Sequence, residues 1–374
     1  MQNPFIYGRI VTGENFANRV RERKEIKNSA MAGQNVIIHG PRRYGKSSLV
    51  EMVARELRGD GVPVAIINAE YLLSKKALAE VLVGSVHTAF HPVKSKFYET
   101  LSTLRDLFPS IKIKPMDELP LCVELDEPRR NEDAMLEKAL SLADKYAKNK
   151  DIQATVVIDE FPFIEKNIRG NTLHLMRAMM QKQEHVSYIL LGSSRTMMEK
   201  IFDAKESPFY KFGRKMEIKE MDESDLSIFL IDRFSKSKIE ITDASVSKII
   251  DAAKNHPYYI QQLCHEIWNI CHAKRNVDDK DISKGVEQIT MNEATTYMTL
   301  LEGLTDTQLR VFKNLSSHPE KIYGEENLSI IGASAGTVQK AIKALKAKDL
   351  IIRHNGGWRI EDPFLLDFMK KRFR

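Results

Sequence analysis

Three cysteines in 374 residues cannot build a disulfide framework, and their odd number fits reduced thiols in a cytoplasm. No apolar run approaches the ~20 residues of a membrane span. The opening Met1-Gln2-Asn3-Pro4-Phe5 lacks both the charge and the apolar stretch of a secretory leader. The expectation is therefore a cytoplasmic chain with no membrane partner. A strong charge of one sign is missing too. The net charge is +6, so its location matters more than its size. From Thr305 to the end, thirteen Lys and Arg face eight Asp and Glu, which allows an acidic partner there. With 29% charged and 43% hydrophobic residues the composition is that of an ordinary folded protein, long enough for two or three domains.

What the chain does have is Gly40-Pro41-Arg42-Arg43-Tyr44-Gly45-Lys46-Ser47, followed by Ser48. The apolar stretch Asn35-Val36-Ile37-Ile38-His39 before it reads as a buried strand. Ser48 to Leu57 after it is apolar at helical spacing. Strand, glycine-bounded loop, Lys-Ser and helix make a Walker A phosphate-binding loop. Backbone N–H groups and a helix N-terminus face the anion there, and glycine permits the close approach. Lys46 is expected to reach the β- and γ-phosphates of a nucleoside triphosphate, and Ser47 to ligate Mg²⁺.

A second apolar strand, Ala154-Thr155-Val156-Val157-Ile158, ends in Asp159-Glu160. This is a Walker B pattern: Asp159 would hold Mg²⁺ through water, and Glu160 would orient and deprotonate the attacking water. The adjacent glutamate and the lack of an Asn-Lys-x-Asp motif argue against a GTPase. Another strand, Val186 to Leu191, ends in Gly192-Ser193-Ser194-Arg195. Ser193 there could sense the γ-phosphate, while Ser194 or Thr196 could cap the helix that follows. In the basic, aromatic loop Ser207 to Arg214, Arg214 is the first candidate for a finger on a neighbouring nucleotide, with Lys211 or Arg195 as substitutes.

Between these landmarks the reading is a strand at Val62–Asn68, helices near Lys75–Phe90 and Lys94–Leu107, a hairpin at about 109–127, and an amphipathic helix Glu132–Lys148. Residues 1–220 form the core domain, and 221–302 a helical lid with helices at Asp225–Ser235, Thr242–Lys254, Pro257–Lys274 and Asp281–Leu300. Cys264-His265 and Cys271-His272 share a helix face. Adjacent residues diverge by ~100° on a helix, so buried thiols beside half-exposed histidines are favoured over a metal site. Residues 303–374 follow a winged-helix pattern: helices Thr305–Leu315, Asn327–Gly332 and Ala335–Leu345, a hairpin turning at His354-Asn355-Gly356-Gly357, and a last helix Pro363–Phe373. The third helix buries Val338, Ile342 and Leu345 and exposes Gln339, Lys340, Lys343 and Lys346, a face that would suit a major groove.

Taken together these motifs resemble the prokaryotic archaeal-type ATPase family, in the signal-transduction (STAND) branch near the AAA+ ATPases. The resemblance runs nearly the full length. Besides both Walker motifs it rests on Phe5-x-x-Gly8-Arg9, Phe16-x-x-Arg19, Gly192-Ser193-Ser194, Ser207-Pro208-Phe209-Tyr210 and His256-Pro257-Tyr258-Tyr259. It implies an α/β P-loop core with parallel strand order 5-1-4-3-2, a helical lid and a winged helix. It also implies adenine held near Phe5, Gly8, Arg9 and the His256-Pro257 turn. Asn18 stands where an acidic residue is common, and Asn255 replaces the glycine expected before His-Pro.

The expected activity is Mg²⁺-dependent hydrolysis of ATP to ADP by a slow conformational switch, with a protein partner or self-association. The alternatives are an ATPase that grips double-stranded DNA through its winged helix, resembling origin-recognition loaders, and a nucleotide-stabilised scaffold with negligible turnover.

Overall fold

The computed structural model describes residues 2–17, 19–91, 101–114, 122–125, 131–318, 322–354 and 356–373. Asn18, Asn355, the first part of the helix expected over Lys94–Leu107 and the connections flanking the 109–127 hairpin lie outside the described residues. The chain divides into two compact units, residues 10–219 and residues 1–9 with 220–374.

The first unit is a three-layer α/β domain. Its strands are β1 (Val36–His39), β2 (Val64–Asn68), β5 (Ala154–Asp159), β6 (Val186–Gly192) and β7 (Arg214–Glu217). A separate antiparallel hairpin pairs β3 (Ile111–Lys114) with β4 (Cys122–Leu125). All pairings in the large sheet are parallel, in the order β2-β5-β6-β1-β7. Numbered among themselves, these five strands run 5-1-4-3-2, the order the resemblance implies. Such a sheet is covered on both faces, and this explains why β1, β2, β5 and β6 are largely apolar runs, whereas edge strand β7 buries only Met216. One face packs on helices Lys75–Phe90, Glu132–Lys150 and Thr172–Met180, and the other on helices Val20–Met31 and Lys46–Gly59. Short helices Pro162–Asn167 and Arg195–Phe202 follow β5 and β6. The first of these starts with proline, whose missing N–H costs nothing at that position.

The second unit begins with the arm 2–9. Phe5 is buried against Phe234, with ring centroids 4.7 Å apart. Asn3 Nδ2 donates to the His265 carbonyl at 3.0 Å, and Ile6 N–H to Gln261 Oε1 at 3.3 Å. The helices are Glu223–Lys236, Asp243–Ala252, Pro257–Cys271, Asp279–Asn292 and Ala294–Glu302. The expected single helix Asp281–Leu300 is thus two. The helical path breaks at Glu293 (φ −90°, ψ −1°), and beyond the break Tyr297 is buried, donating to Asp362 Oδ2 at 3.1 Å and packing on Phe368.

Helices Asp306–Ser317, Glu325–Ile331 and Ala335–Ala347, the antiparallel pair β8 (Ile351–His354) and β9 (Gly357–Ile360), and helix Pro363–Arg372 complete a winged helix. Each of its elements was legible from apolar spacing. Among the described residues no helix is long and apolar enough to cross a membrane.

Candidate phosphate-binding site

Parallel strands aim their C-terminal ends at one crevice, where ligands bind in open α/β sheets. The loop Gly40–Gly45 leaves β1 at that crevice. On the same side β5 ends at Asp159 and β6 at Gly192, because β5, β6 and β1 are neighbours in register.

The backbone of the loop depends on its two glycines. A Cβ at Gly40 would stand 2.6 Å from the Ile218 carbonyl oxygen, so only glycine lets the two segments approach. Gly45 has φ +81° and starts helix Lys46–Gly59 from the left-handed region, which L side chains adopt at a cost. The Tyr44 ring is buried in the core and anchors the loop, while Arg42 and Arg43 are exposed. Pro41 sits at the start of the loop, and Lys46 Nζ donates to the carbonyls of Gly40 at 2.9 Å and Pro41 at 2.7 Å. At 6% exposure this ammonium is held inside the curl of the loop.

Ser47 Oγ donates to Asp159 Oδ2 at 2.7 Å, which brings the first residues of the Walker A helix onto the end of the Walker B strand. The other Asp159 oxygen accepts the Glu160 N–H at 2.9 Å. Glu160 has φ +50°, a left-handed conformation that a non-glycine residue keeps only where its surroundings impose it. Its Oε2 accepts from Ser193 Oγ at 3.1 Å and from Ser193 N–H at 3.3 Å. Ser193 therefore contacts the proposed base directly. Ser194 accepts from Met197 N–H and caps the next helix. Of the two roles foreseen for this strand end, the helix cap is filled by Ser194, while Ser193 faces Glu160.

A hydroxyl and a carboxylate this close form an all-oxygen donor set that suits a hard divalent cation such as Mg²⁺. The curled glycine loop and its enclosed ammonium suit a polyphosphate.

Other expected residues lie elsewhere. Ser48 is buried, and its Oγ accepts the Val11 N–H at 3.1 Å, so it secures the preceding segment. Arg214 is level with Val36 on β7, whereas Glu217 is level with His39. Three residues of strand, ~10 Å, thus separate it from the loop along β1. It pairs with Glu25 at 2.7 Å, away from its own chain's loop. Arg195, at the start of the helix after β6, pairs with Glu199 at 2.8 Å and Glu217 at 3.6 Å.

Phe5, Gly8, Arg9, His256 and Pro257 all belong to the second unit. The Phe5 ring is fully occupied by Phe234. His256 caps helix Pro257–Cys271, its Nδ1 accepting from Tyr258 N–H at 3.2 Å. Asn255 has φ +55°, so the residue standing in for glycine keeps the left-handed turn, which asparagine tolerates well. His265 Nδ1 lies 2.8 Å from the Phe5 carbonyl, and burial pushes the Cys264 and Cys271 thiols up in pKa. Neither cysteine has the electropositive surroundings of a reactive thiol.

Arg19 has a role here that its sequence position did not disclose. It is 4% exposed with φ +42°. Its Nη2 donates to the Lys219 carbonyl at 2.8 Å and lies 3.4 Å from the Tyr44 carbonyl, while Nη1 pairs with Glu22 at 2.9 Å. Burial pulls its pKa down and Glu22 pushes the other way. A guanidinium thus ties the phosphate loop to the segment after β7. The Phe16-x-x-Arg19 pattern was the only signal.

Comparison with known proteins agrees with this fold. No curated protein matches the chain by sequence. The chain is similar in structure to the Walker-type ATPase PABY2304 of Pyrococcus abyssi, at TM-score 0.65 and 15% identity over 98% of this chain and 99% of that one. It is similar also to the Aeropyrum pernix ORC2 protein in its ADPNP–ADP complexes, at TM-score 0.57 and 13% identity over 94% and 93%. A probable winged helix domain family matches residues 295–371. The family described as an ATPase domain predominantly from Archaea matches residues 16–263, about two thirds of the sequence, and the chain belongs to it.

Proposed function

We propose that the protein is a Mg²⁺-dependent ATPase that works as a slow nucleotide-controlled switch of the STAND type. The observation that carries this reading is the 2.7 Å contact between Ser47 Oγ and Asp159 Oδ2, with Glu160 next in the chain. Ser47 and Asp159 would hold the cation, Asp159 through water. When bound, Mg²⁺ neutralises charge on the β- and γ-phosphate oxygens. Lys46 leaves the loop carbonyls for those oxygens, and the loop N–H groups hold the β-phosphate. Glu160 takes a proton from a water whose oxygen attacks the γ-phosphorus. The bond to the bridging oxygen breaks, and ADP and phosphate result.

The ADPNP–ADP complexes of the ORC2 relative support an adenine nucleotide. A P-loop enzyme without a supplied arginine can turn over as slowly as about 10⁻⁴ per second, a rate suited to a timer. A switch further requires ATP to bind one conformation better than the other. Phosphate release by the native chain, set against Glu160→Gln, tests the catalytic part. Equal release from both overturns it and favours a non-hydrolysing scaffold. Protease sensitivity with ADP and with a non-hydrolysable ATP analogue tests the switch, and identical patterns count against it.

A further inference from the structure

The winged helix carries a concavity of about 460 Å³ between helix Ala335–Ala347 and the β8–β9 wing, which the ATPase reading does not use. Its apolar lining comes from Ile342, Tyr323 and Trp358, and its cationic lining from Lys343, Lys346 and Arg353. Tyr323 is 44% exposed and so presents ring surface to the hollow. Arg353 and Trp358 face each other across the wing, with the guanidinium carbon 5.5 Å from the ring centroid. Among the described residues, none of the three cations forms an ion pair. Lysines elsewhere in the chain commonly do, as at Lys200–Glu165, Lys248–Asp279 and Lys371–Asp367.

We infer that this groove binds single-stranded nucleic acid, with bases stacking on Trp358 and Tyr323 and phosphates on Lys343, Lys346 and Arg353. Aromatic platforms beside a positively charged track are how single strands are held without sequence preference. A duplex keeps its base faces stacked internally and offers nothing to an aromatic floor. It calls instead for a helix standing proud enough to enter a groove ~12 Å wide. Here Lys343 and Lys346 line a hollow shared with the wing. The chemistry is therefore different from the major-groove docking that the lysine pattern alone suggested.

Fluorescence anisotropy of the full-length chain tests this, with a labelled oligothymidylate of about 15 nucleotides, the matching oligouridylate and a duplex of equal length. The single strands should bind about ten-fold or more tightly than the duplex at equal salt. Trp358→Ala should weaken single-strand binding about ten-fold, while Trp358→Phe, which keeps a stacking ring, should retain most of it. Lys343→Glu with Lys346→Glu should flatten the salt dependence, since fewer counterions are released. ATP-analogue affinity in each variant reports that the chain is folded and does not depend on this groove. A duplex bound as tightly as the single strands overturns the inference. So does the absence of single-strand binding, or a Trp358→Ala variant that binds like the native chain.

Discussion

The Ser47 hydroxyl donates to the Asp159 carboxylate across 2.7 Å, joining two motifs 112 residues apart in sequence. Neither group has an intrinsic reason to seek the other. Their meeting follows from the strand order, which places β5 two positions from β1 and aligns the ends of both. Everything proposed about phosphate chemistry begins at this contact.

Lys46→Ala removes the cation enclosed by the loop. Charge-assisted hydrogen bonds contribute ~1.5–3 kcal/mol each, so ATP affinity measured by calorimetry should fall about 10- to 100-fold or more. The carbonyls of Gly40 and Pro41 lose their donor, and thermal unfolding should show a loss of ~1–3 kcal/mol with a cooperative transition retained.

The two loop glycines should respond differently to alanine. At Gly40 the new methyl meets the Ile218 carbonyl oxygen at 2.6 Å and the Ile218 Cβ at 3.1 Å, and backbone cannot step aside as a side chain can. Gly40→Ala should cost ~1–3 kcal/mol and disturb nucleotide binding. Gly45→Ala meets open space, and its cost is the left-handed backbone alone, ~1–2 kcal/mol. Melting temperatures and ADP affinities of the two variants separate these effects. A Gly40→Ala chain as stable and as tight-binding as the native one would contradict the packing described.

Ser193 holds Glu160 through both its hydroxyl and its N–H. Ser193→Ala removes the first and leaves the second. Turnover should fall about ten-fold with KM for ATP nearly unchanged, as for a group that acts in the transition state rather than in binding. Ser193→Thr should restore most of the rate. A rise in KM with unchanged kcat would place the residue in nucleotide binding instead.

Acid should destabilise the first unit partly through His39. Burial holds its imidazole below the usual range; Glu217 opposes this shift and Arg195 reinforces it. A depressed pKa means that the unfolded chain takes up the proton first. The stabilising contribution is therefore present above pH ~6.5 and is lost as pH falls below it. Thermal unfolding from pH 7.5 down to about 5 should show a smaller loss for His39→Gln than for the native chain.

Both Walker motifs were legible because each is local: Gly40, Gly45, Lys46 and Ser47 lie within eight residues, and Asp159-Glu160 end one apolar run. Winged-helix boundaries were legible for a similar reason, since apolar spacing and caps such as Ser334 and Thr305 mark them. Arg19 was not, because its partners Tyr44 and Lys219 lie 25 and 200 residues away and only the fold assembles them. The break at Glu293 was hidden as well, as nothing in the local pattern announces a turn toward Asp362 and Phe368. The placement of Arg214 was not legible either: strand register puts it at the far end of β1 from its own chain's phosphate loop, and only the sheet pairing shows this.

The most direct measurement is calorimetric titration of a non-hydrolysable ATP analogue, with and without Mg²⁺, into the native chain, Lys46→Ala and Asp159→Asn. The native chain should bind it more tightly with Mg²⁺, Asp159→Asn should lose that Mg²⁺-dependent gain, and Lys46→Ala should bind weakly in either condition. Equal affinity in all three, unaffected by Mg²⁺, would contradict a triphosphate and cation held between the Gly40–Ser47 loop and Asp159.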